Sequence, residues 1–493
     1  MFANKTVGQS IKKKSSSPWM KKVGMFILIL VCIAGVGYAG QFLIIKTQAA
    51  LWYLSNNTID IVSDTFGSPM IKDAYGNINI LLVWMGWEKH DGGMLADAII
   101  VASWNPKLKS VSMISIPRDL YIDMTTADIR WRINQAFSTA YYNNDRSLDL
   151  AAKMLAEEVE EITSIKAPYY VVVDFNGFKG VIDAIGGIEI DVPERIYDTT
   201  YPNDANRGYI TFHLERWLQT MDGITALRYA RSRHSSSDFA RSARQQQIIE
   251  STIKTILRKE NIQNVSTIKS LYNEYTKMVT TNVSNKEIVG MIKHIFSLEH
   301  IFNFGLTSTC SNRGRQLMYP GCFLYTPDRD RFGWASVLVT NGSTFSNLDF
   351  YDYTRNFGHI VAQNQWFLIE GARVKILNGI DKSYAQQAGK GSDGHATQVS
   401  VKLRRYGFIV SGAENASATQ TGTTLEISGP GEYSDTIQMI EKFFPIDEVI
   451  IARPEPIIQE DGSEILPETD ADITITLGNS YIDNRPAQFN YNM

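Results

Sequence analysis

The sequence contains little cysteine: three residues among 493, one of which, Cys32, lies in an apolar run near the N-terminus. Disulfide-rich scaffolds need many cysteines in a short chain, and structural zinc sites need cysteine and histidine at fixed close spacings. Neither pattern occurs, so both classes are excluded. A bridge between Cys310 and Cys322 would close a loop of about 13 residues and add around 3 kcal/mol. Two free thiols are an equally good interpretation.

An excess of basic residues is also missing. The chain has 48 Lys and Arg against 52 Asp and Glu, which gives a formal net charge of -4. Six of the lysines lie in residues 1–22, which contain no acid, so the rest of the chain carries 42 basic and 52 acidic residues. Proteins that coat nucleic acids have basic bodies. We therefore expect no nucleic-acid partner.

Long apolar runs are absent except at residues 23–45, VGMFILILVCIAGVGYAGQFLII, which carry no charge. As a helix this run would span roughly 35 Å, enough for a hydrocarbon core of about 30 Å. The lysines before it favour a cytoplasmic N-terminus and an extracytoplasmic body. A cleaved signal peptide is the competing interpretation, but its apolar region is usually shorter. We expect a single-pass protein of the cell membrane, with a basic tail at 1–22, a transmembrane helix at 23–45 and a juxtamembrane linker at 46–76.

Beyond the linker, apolar strands alternate with amphipathic helices. Short apolar runs predict strands at 78–86, 96–104, 111–116, 169–175 and 187–192. Between 147 and 163 the apolar residues recur at steps of three and four, which is typical of an amphipathic helix. This order predicts a layered α/β domain over residues 77–365, with a sheet that is buried on both faces. A smaller α+β domain is predicted over 372–480, followed by a polar tail at 481–493.

Five arginines are concentrated in residues 228–246, RYARSRHSSSDFARSARQQ. Arginine stays charged, and its planar fork donates two parallel hydrogen bonds to phosphate oxygens. We predict that the cluster is a loop leading into a helix at 242–258, whose N-terminus favours anions. A second Arg-Asp element, SIPRD, occurs at 115–119. A solvated basic face is the simpler explanation of such a cluster, but the two elements together favour a site for a compact polyanion that carries phosphates.

These elements, in this order, resemble the LytR-CpsA-Psr family over about Asn79 to Arg258. The resemblance rests on ADAI (96–99), NPKLKSVSMISIPRD (105–119), RINQAF (132–137), YYVVVDFNGFKGVIDAIGGIEIDVP (169–193), MDGITALRYARSRH (221–234) and DFARSARQQ (238–246). It implies a layered α-β-α domain with a mixed central sheet. The unit at 372–478 is similar to the C-terminal domain that often accompanies the family.

The resemblance also assigns roles to individual residues. The positions that match the family's pyrophosphate-binding residues are Arg118, Arg231, Arg233, Arg241 and Arg244. Gln245 matches a polar contact at the same helix end, and we expect Arg132 to reach the substrate as well. Asp119 and Asp238 either orient the arginines or take the proton of the attacking hydroxyl. Purely structural ion pairing is an equally good explanation for each of these two acids.

Magnesium is the cofactor that the resemblance implies. Asp97 matches a family carboxylate near Mg²⁺, a hard cation that prefers oxygen ligands and often bridges to substrate phosphates. Family members usually carry an Asp, and an Arg two residues later, just after the first strand; here those places hold Gly86 and Glu88. Asp91 is our candidate for the missing ligand. The alternative is that Asp91, Gly92 and Gly93 only form a turn.

The expected activity is transfer of a phosphoglycosyl polymer from a polyprenyl-pyrophosphate carrier to a sugar hydroxyl of peptidoglycan, with release of polyprenyl phosphate. A polyprenyl-pyrophosphate phosphatase would use the same site with water as the acceptor. A non-catalytic protein that binds the lipid carrier or the cell wall is the alternative of another class, because Gly86 stands where the family usually has a metal ligand. The sequence leaves the polymer and the oligomeric state open.

Overall fold

The computed structural model describes residues 67–86, 94–124, 129–203, 208–232, 238–256, 279–295, 297–306, 310–312, 315–317, 323–389, 391, 393–458, 464–465, 467 and 469–484. The predicted transmembrane helix at 23–45 lies outside these residues, as does Cys322 of the predicted disulfide. No helix among the described residues combines the length and the apolar character needed to cross a membrane. The anchor therefore stays a prediction.

The elements are numbered in chain order. The strands are β1 (Ile78–Met85), β2 (Ala96–Asn105), β3 (Ser110–Ile116), β4 (Tyr121–Met124), β5 (Ile129–Arg132), β6 (Tyr169–Asp174), β7 (Ile188–Asp191), β8 (Ile196–Pro202), β9 (Tyr209–Leu214), β10 (Leu218–Met221), β11 (Val279–Thr281), β12 (His300–Gly305), β13 (Cys310–Asn312), β14 (Arg315–Leu317), β15 (Leu324–Tyr325), β16 (Val339–Thr340), β17 (Arg373–Asn378), β18 (Ile409–Asn415), β19 (Thr424–Ile427), β20 (Glu448–Ile451), β21 (Ile457–Ile458), β22 (Glu464–Ile465) and β23 (Ile473–Leu477). The helices are α1 (Ile133–Asn143), α2 (Leu148–Thr163), α3 (Phe175–Ala184), α4 (Gly223–Arg231), α5 (Asp238–Ile256), α6 (Asn285–Ile295), α7 (Asp352–Gly358), α8 (Gln365–Glu370), α9 (Lys382–Gln387), α10 (His395–Arg405), α11 (Ser434–Phe443) and α12 (Asn479–Asp483).

The first sheet has the strand order β11-β6-β1-β2-β3-β12. β1 is parallel to β6 and β3 is parallel to β12, whereas β2 is antiparallel to both β1 and β3. The sheet is therefore mixed, as predicted. Apolar residues cover both of its faces. Leu81 and Val83 of β1 belong to one buried cluster together with Leu155 of α2, while Ile78 belongs to a second cluster against which Ile249 of α5 packs. This confirms a layered α/β arrangement.

The predicted elements agree closely with the observed ones. The helix predicted at 147–163 is α2, which begins after Ser147, whose side chain accepts a hydrogen bond from the Leu150 N–H. Such a cap satisfies one of the N–H groups that lack a partner in the first turn of a helix. The helix ends at Ser164, which adopts the left-handed conformation with φ 59°.

The C-terminal sheet has the order β18-β17-β23-β19-β20 and packs with α10 and α11. One buried cluster includes residues of both sheets, from Leu81 of β1 to Ile475 of β23. Glu370, at the end of α8, strengthens this junction. Its carboxylate accepts hydrogen bonds from the N–H groups of Asp435 and Thr436, at 3.0 and 2.7 Å, in the first turn of α11. The core therefore continues across the boundary that the sequence predicts between 365 and 372.

One buried acid makes the stability of the fold depend on pH. Glu158 of α2 is only 4% exposed, and burial together with nearby carboxylates, Glu161 foremost, raises its pKa from 4.5 to about 8. Between these values the unfolded chain loses the proton while the native protein keeps it. We therefore expect stability to fall as pH rises from about 4.5 to 8 and to level off above that range.

A Glu158→Gln variant should lose this pH dependence and be more stable than the parent chain at pH 8 by at least about 1 kcal/mol. Urea denaturation followed by circular dichroism at pH 5, 6.5 and 8 measures the effect. Glu160→Gln, on the same helix, is the matched control and should keep the pH profile of the parent chain, because Glu160 is not among the carboxylates that raise the pKa of Glu158. An identical pH profile for the parent and Glu158→Gln would contradict the assignment.

Candidate active site

Four of the predicted site residues, Asp97, Arg118, Asp119 and Arg132, lie together at one edge of the central sheet. β1, β3 and β6 run in the same direction, so their carboxyl ends lie together at this edge. Asp97 is the second residue of the antiparallel strand β2, and Arg118 follows the end of β3. In open α/β sheets, ligands generally bind outside the carboxyl ends of the strands.

A chain of alternating charges occupies this edge. The Arg118 Nη1 donates a hydrogen bond to Oδ1 of Asp97. On its other side the Arg118 Nε lies 3.6 Å from Asp119 Oδ2, and Asp119 Oδ1 lies 3.5 Å from the Arg132 Nε. The side chains of these four charged residues are 13 to 28% exposed. Partial burial strengthens their interactions, and enough surface remains open for a ligand to reach the guanidinium groups.

Backbone hydrogen bonds hold the Arg118 segment in place. The carbonyl of Arg118 accepts from the Asn134 N–H at 3.2 Å, and the carbonyl of Asp119 accepts from the Leu338 N–H at 3.0 Å. The Asn134 side chain is 4% exposed, and its Oδ1 has no hydrogen-bond partner; the same holds for the Nε atoms of Arg118 and Arg132. Buried polar atoms without a partner are costly. The Nε atoms of the two arginines face the Asp119 carboxylate, at 3.6 and 3.5 Å, so ion pairing offsets part of this cost.

Asn134 was not assigned a role from the sequence, although it lies in the RINQAF element. Its approach to Arg118 depends on a tertiary contact, which the sequence does not show.

Arg231 lies at the end of α4 and is held by aromatic rings. Its guanidinium carbon is 4.6 Å from the centroid of the Phe175 ring and 5.7 Å from that of Tyr201. Its Nη1 lies 3.4 Å from the Tyr201 hydroxyl. Cation–π contacts of this kind help to fix the position of the cation. Phe175 and Tyr201 therefore position Arg231, a role that the sequence did not reveal.

Asp222 determines where α4 begins, and therefore where Arg231 lies. The Asp222 side chain accepts a hydrogen bond from the Thr225 N–H at 2.8 Å and caps the helix. The Gly223 N–H donates to Oδ1 of Asp183, at the end of α3, at 2.7 Å. A Cβ on Gly223 would meet the carbonyl oxygen of Lys179 at 2.4 Å, so only glycine permits this approach of the two helices.

The segment predicted as a loop before 242 is helical from Asp238 onward. The predicted start was late because the apolar periodicity begins only after the arginines, and arginine is itself a good helix former. Gln246 of this helix donates hydrogen bonds to the carbonyls of Met113 and Phe304, and Glu250, one turn later, accepts from Asn303. The helix thus runs antiparallel to β12. Its N-terminus therefore lies at the same edge as Arg118.

Arg241, Arg244 and Gln245 are almost fully buried on this helix, with exposures of 6, 8 and 5%. Arg244 donates to two backbone carbonyls, that of Tyr229 through Nε at 2.9 Å and that of Ser232 through Nη2. Burial lowers the pKa of Arg244. These contacts connect α5 to the end of α4. Its predicted role as a substrate ligand stays a prediction.

Some predicted site residues lie outside the described residues. These are Arg233 and the second proposed metal ligand, Asp91; for Asp238 the backbone is described but the side chain is not. Among the described residues, no group of three or more His, Cys, Asp or Glu is arranged to hold a metal ion. Asp97 presents a single carboxylate, one oxygen of which binds Arg118. A single carboxylate fits Mg²⁺, which usually keeps several waters and uses one or two carboxylates together with substrate phosphates.

The family model of the LytR_cpsA_psr family matches residues 54–318, more than half of the chain. The chain belongs to this family. It is 32% identical, over 192 residues, to the polyisoprenyl-teichoic acid–peptidoglycan teichoic acid transferase TagV of Bacillus subtilis (strain 168), a match that covers 38% of this chain and 45% of TagV. It is 23% identical over 303 residues to TagT of the same organism, covering 60% of this chain and 87% of TagT.

Solved structures of the same relatives are similar as well. The crystal structure of B. subtilis TagV has a TM-score of 0.42 and 22% identity, and the match covers 59% of this chain and 98% of that one. The structure of TagT bound to LI-WTA has a TM-score of 0.37 and 20% identity, with 56% of this chain and 90% of that chain covered.

Proposed function

We propose that this protein transfers a phosphoglycosyl polymer from a polyprenyl-pyrophosphate carrier to a sugar hydroxyl of peptidoglycan. The observation that carries the proposal is the chain of charges from Asp97 through Arg118 and Asp119 to Arg132, at the ligand-binding edge of the sheet. Membership of the family and the names of the relatives, teichoic acid transferases, support it. Residues 23–45 would anchor the chain in the cell membrane, beside its lipid-linked substrate.

In the proposed reaction the acceptor hydroxyl attacks the phosphorus nearest the donor sugar. A new oxygen–phosphorus bond forms, and the bond to the oxygen that bridges the two phosphates breaks. Polyprenyl monophosphate leaves with the electron pair, and a phosphodiester remains. Phosphoryl transfer is catalysed mainly by positioning and by charge neutralisation. Arg118 and Arg132, whose side chains are 13 and 28% exposed on either side of Asp119, would bind the phosphate oxygens.

Asp119 holds both of these arginines and lies between them. In this position it orients the two guanidinium groups toward one ligand. An alternative role is to accept the proton of the attacking hydroxyl, which must be lost as the new bond forms. A carboxylate that accepts the proton has to lie within hydrogen-bond reach of the acceptor. An Asp119→Asn variant keeps the shape and one acceptor oxygen of the side chain, but it loses the charge and cannot take up the proton.

Mg²⁺ is the proposed cofactor, and Asp97 is its proposed ligand among the described residues. When bound, the ion would offset the negative charge of the phosphates. Asp97 also anchors Arg118, so its two oxygens would serve the guanidinium and the metal together. Asp91 is proposed as the second protein ligand, replacing the carboxylate that the family usually has where this chain has Gly86.

An Asp97→Asn variant should lower turnover about 100-fold and raise the Mg²⁺ concentration that is needed for half of the maximal rate. Release of polyprenyl monophosphate across a Mg²⁺ titration measures both effects. Asp149→Asn, at a carboxylate of α2 that is ion-paired with Lys153 at 2.8 Å, is the matched control. A fall in rate with an unchanged Mg²⁺ requirement would contradict the metal role and leave Asp97 only as the anchor of Arg118.

The phosphatase alternative is separated from the transferase by omitting the acceptor. A purified full-length chain is incubated with a polyprenyl-pyrophosphoryl sugar, with and without a peptidoglycan oligomer. The transferase predicts that polyprenyl monophosphate appears only when the oligomer is present. Release at the same rate without the oligomer would indicate the phosphatase. Bound lipid without any release would indicate the binding protein.

A further inference from the structure

An exposed tryptophan lies on a tight turn beside the charged edge of the central sheet. Trp334 is 78% exposed, more than any other large hydrophobic side chain in the described part of the protein. The turn follows a short 3-10 helix, Arg329–Phe332. A single exposed hydrophobic side chain is common on protein surfaces. Trp334, however, also has an unfavourable backbone conformation and lies close to the candidate active site.

The backbone of Trp334 is strained. Its φ is 63°, in the left-handed region, directly after Gly333 with φ 59°. Bulky residues rarely adopt this conformation, because the Cβ atom approaches the neighbouring backbone too closely. Glycine or asparagine would fit the turn at a lower cost. Strained residues are concentrated at functional sites, so a tryptophan at this position indicates a role for its side chain.

The turn that carries Trp334 is held firmly on both sides. Phe332 and Val337 are 8 and 3% exposed and belong to one buried cluster. The Trp334 N–H donates to the carbonyl of Arg329 at 2.9 Å, and the Ala335 N–H donates to that of Phe332 at 3.1 Å. A side chain on such a fixed turn loses little conformational freedom when a ligand binds, which favours affinity.

Hydrogen bonds connect the same turn to the four charged residues of the site. The Arg132 Nη2 donates to the carbonyl of Ser336 at 3.0 Å. The Leu338 N–H donates to the carbonyl of Asp119, also at 3.0 Å. Consecutive Cα atoms are about 3.8 Å apart, so the Trp334 Cα lies within about 8 Å of the Ser336 Cα. Trp334 is thus within reach of a ligand that is bound at Arg132.

The segment around the turn has no net charge. Residues 328–347 contain two aspartates and two arginines, and no lysine, glutamate or histidine. They also contain a second exposed ring, that of Phe345, which is 41% exposed and packs edge-on against Phe332. A phosphate-bearing donor polymer or an anionic membrane would favour a basic surface. Aromatic rings on a neutral surface fit a sugar ring, whose C–H groups pack on the flat face of an indole.

We propose that Trp334 binds a sugar ring of the peptidoglycan acceptor by stacking. This rests on the proposed transferase function and identifies a surface that holds its acceptor. Stacking on Trp334 keeps the glycan strand close to Arg132, and therefore keeps the attacking hydroxyl near the phosphorus. Trp334 does not touch the reacting atoms in this account, so it contributes to acceptor binding and not to the chemical step.

Trp334→Ala should weaken the binding of a soluble peptidoglycan oligomer about tenfold or more, since tryptophans at the centre of a contact usually contribute at least this much. Titration calorimetry of the full chain in detergent, without donor, measures the dissociation constant. Trp334→Phe keeps a ring and should recover part of the affinity. In the transfer assay Trp334→Ala should raise the KM for the oligomer, change kcat less than about threefold and leave the KM for the donor unchanged.

The matched control is Trp366→Ala, at a tryptophan that is 49% exposed on α8. The neighbouring Gln365 accepts a hydrogen bond from the Ser110 hydroxyl at the start of β3, whereas Arg118 follows the end of β3. Trp366 is therefore at the opposite edge of the sheet, and its loss should leave the affinity for the oligomer unchanged. Equal losses of affinity in Trp334→Ala and Trp366→Ala would overturn the proposal.

Trp334→Asn separates a role in binding from a role in the fold. Asparagine tolerates the left-handed conformation better than tryptophan. The variant should therefore unfold at a urea concentration at least as high as that of the parent chain, and it should bind the oligomer as weakly as Trp334→Ala. A lower midpoint of unfolding together with unchanged affinity would show a structural tryptophan and would overturn the proposal.

Failure of this proposal and failure of the transferase give different results. If no transfer occurs but calorimetry shows binding that depends on Trp334, the glycan site stands and the transferase does not. If transfer occurs and Trp334→Ala binds the oligomer like the parent chain, the glycan site is wrong. A raised KM for the donor instead of the acceptor would also overturn it, as would a parent chain that does not bind the oligomer at about 1 mM.

Contact with lipid is the competing role for an exposed tryptophan near a membrane anchor. The full chain is reconstituted in vesicles of brominated phosphatidylglycerol and phosphatidylethanolamine, whose bromine atoms quench the fluorescence of tryptophans in contact with them. The parent chain should lose no larger a fraction of its fluorescence than Trp334→Phe. A larger fraction lost by the parent chain would place Trp334 in the lipid and would overturn the proposal.

Discussion

Arg118→Ala is expected to lower transfer by about 10³-fold or more, the largest effect of any single substitution at the site. Arg118 connects Asp97 to Asp119 and is 13% exposed, so it is both firmly held and accessible. Alanine would remove the charge that offsets the leaving phosphate and would leave Asp97 without its cation. Arg118→Lys keeps the charge but loses the planar guanidinium group, so its rate should lie between those of Arg118→Ala and the parent chain. Release of polyprenyl monophosphate measures the rates.

Arg130→Ala is the matched control for this prediction. Arg130 lies on β5, two residues from Arg132, and its Nη2 is 2.7 Å from Asp123 on the same hairpin. Its loss should change the transfer rate less than about threefold, since exposed ion pairs contribute little. Comparable losses in Arg118→Ala and Arg130→Ala would indicate a general electrostatic effect of the basic surface and would contradict a specific site.

Arg244→Ala is expected to destabilise the fold by about 2 to 4 kcal/mol, because it leaves the carbonyls of Tyr229 and Ser232 without donors in a buried place. Arg244→Lys should recover only part of this, since one ammonium group cannot replace the fork that reaches both carbonyls. The midpoint of urea denaturation measures the change.

Arg228→Ala is the control for the stability experiment. Arg228 belongs to the same arginine cluster but is partly exposed on α4. It should change stability by less than about 0.5 kcal/mol. If Arg244→Ala kept the stability of the parent chain and lost transfer activity, Arg244 would be a substrate ligand as the family resemblance implies. Loss of stability is the result that its contacts predict.

The five strands predicted in the first domain agree with the structure almost to the residue, because each is a short apolar run bounded by turn residues. The run at 78–86 is β1 and the run at 111–116 is β3, each apart from one residue. The outer strands of the same sheet, β11 and β12, were not predicted. The mixed order of the sheet did not follow from these runs. It came from the family resemblance, because a strand pattern does not specify which strands are neighbours.

The site could be predicted in its residue types but not in its contacts. The pattern placed Arg231 and Arg244 in one cluster of phosphate-binding candidates. In the structure Arg231 lies against aromatic rings, whereas Arg244 is buried against backbone carbonyls. Nothing in the local sequence separates an arginine that lies against aromatic rings from one that is buried against backbone carbonyls. Glu158 is another example, since its burial depends on packing between distant segments.

The measurement that tests the central claim most directly is the mass of the peptidoglycan oligomer after incubation with the full chain, Mg²⁺ and a polyprenyl-pyrophosphoryl sugar. We predict that the oligomer gains the donor sugar together with one phosphate, and that Arg118→Ala abolishes this gain. An oligomer of unchanged mass, with polyprenyl monophosphate released in the same reaction, would contradict the transferase.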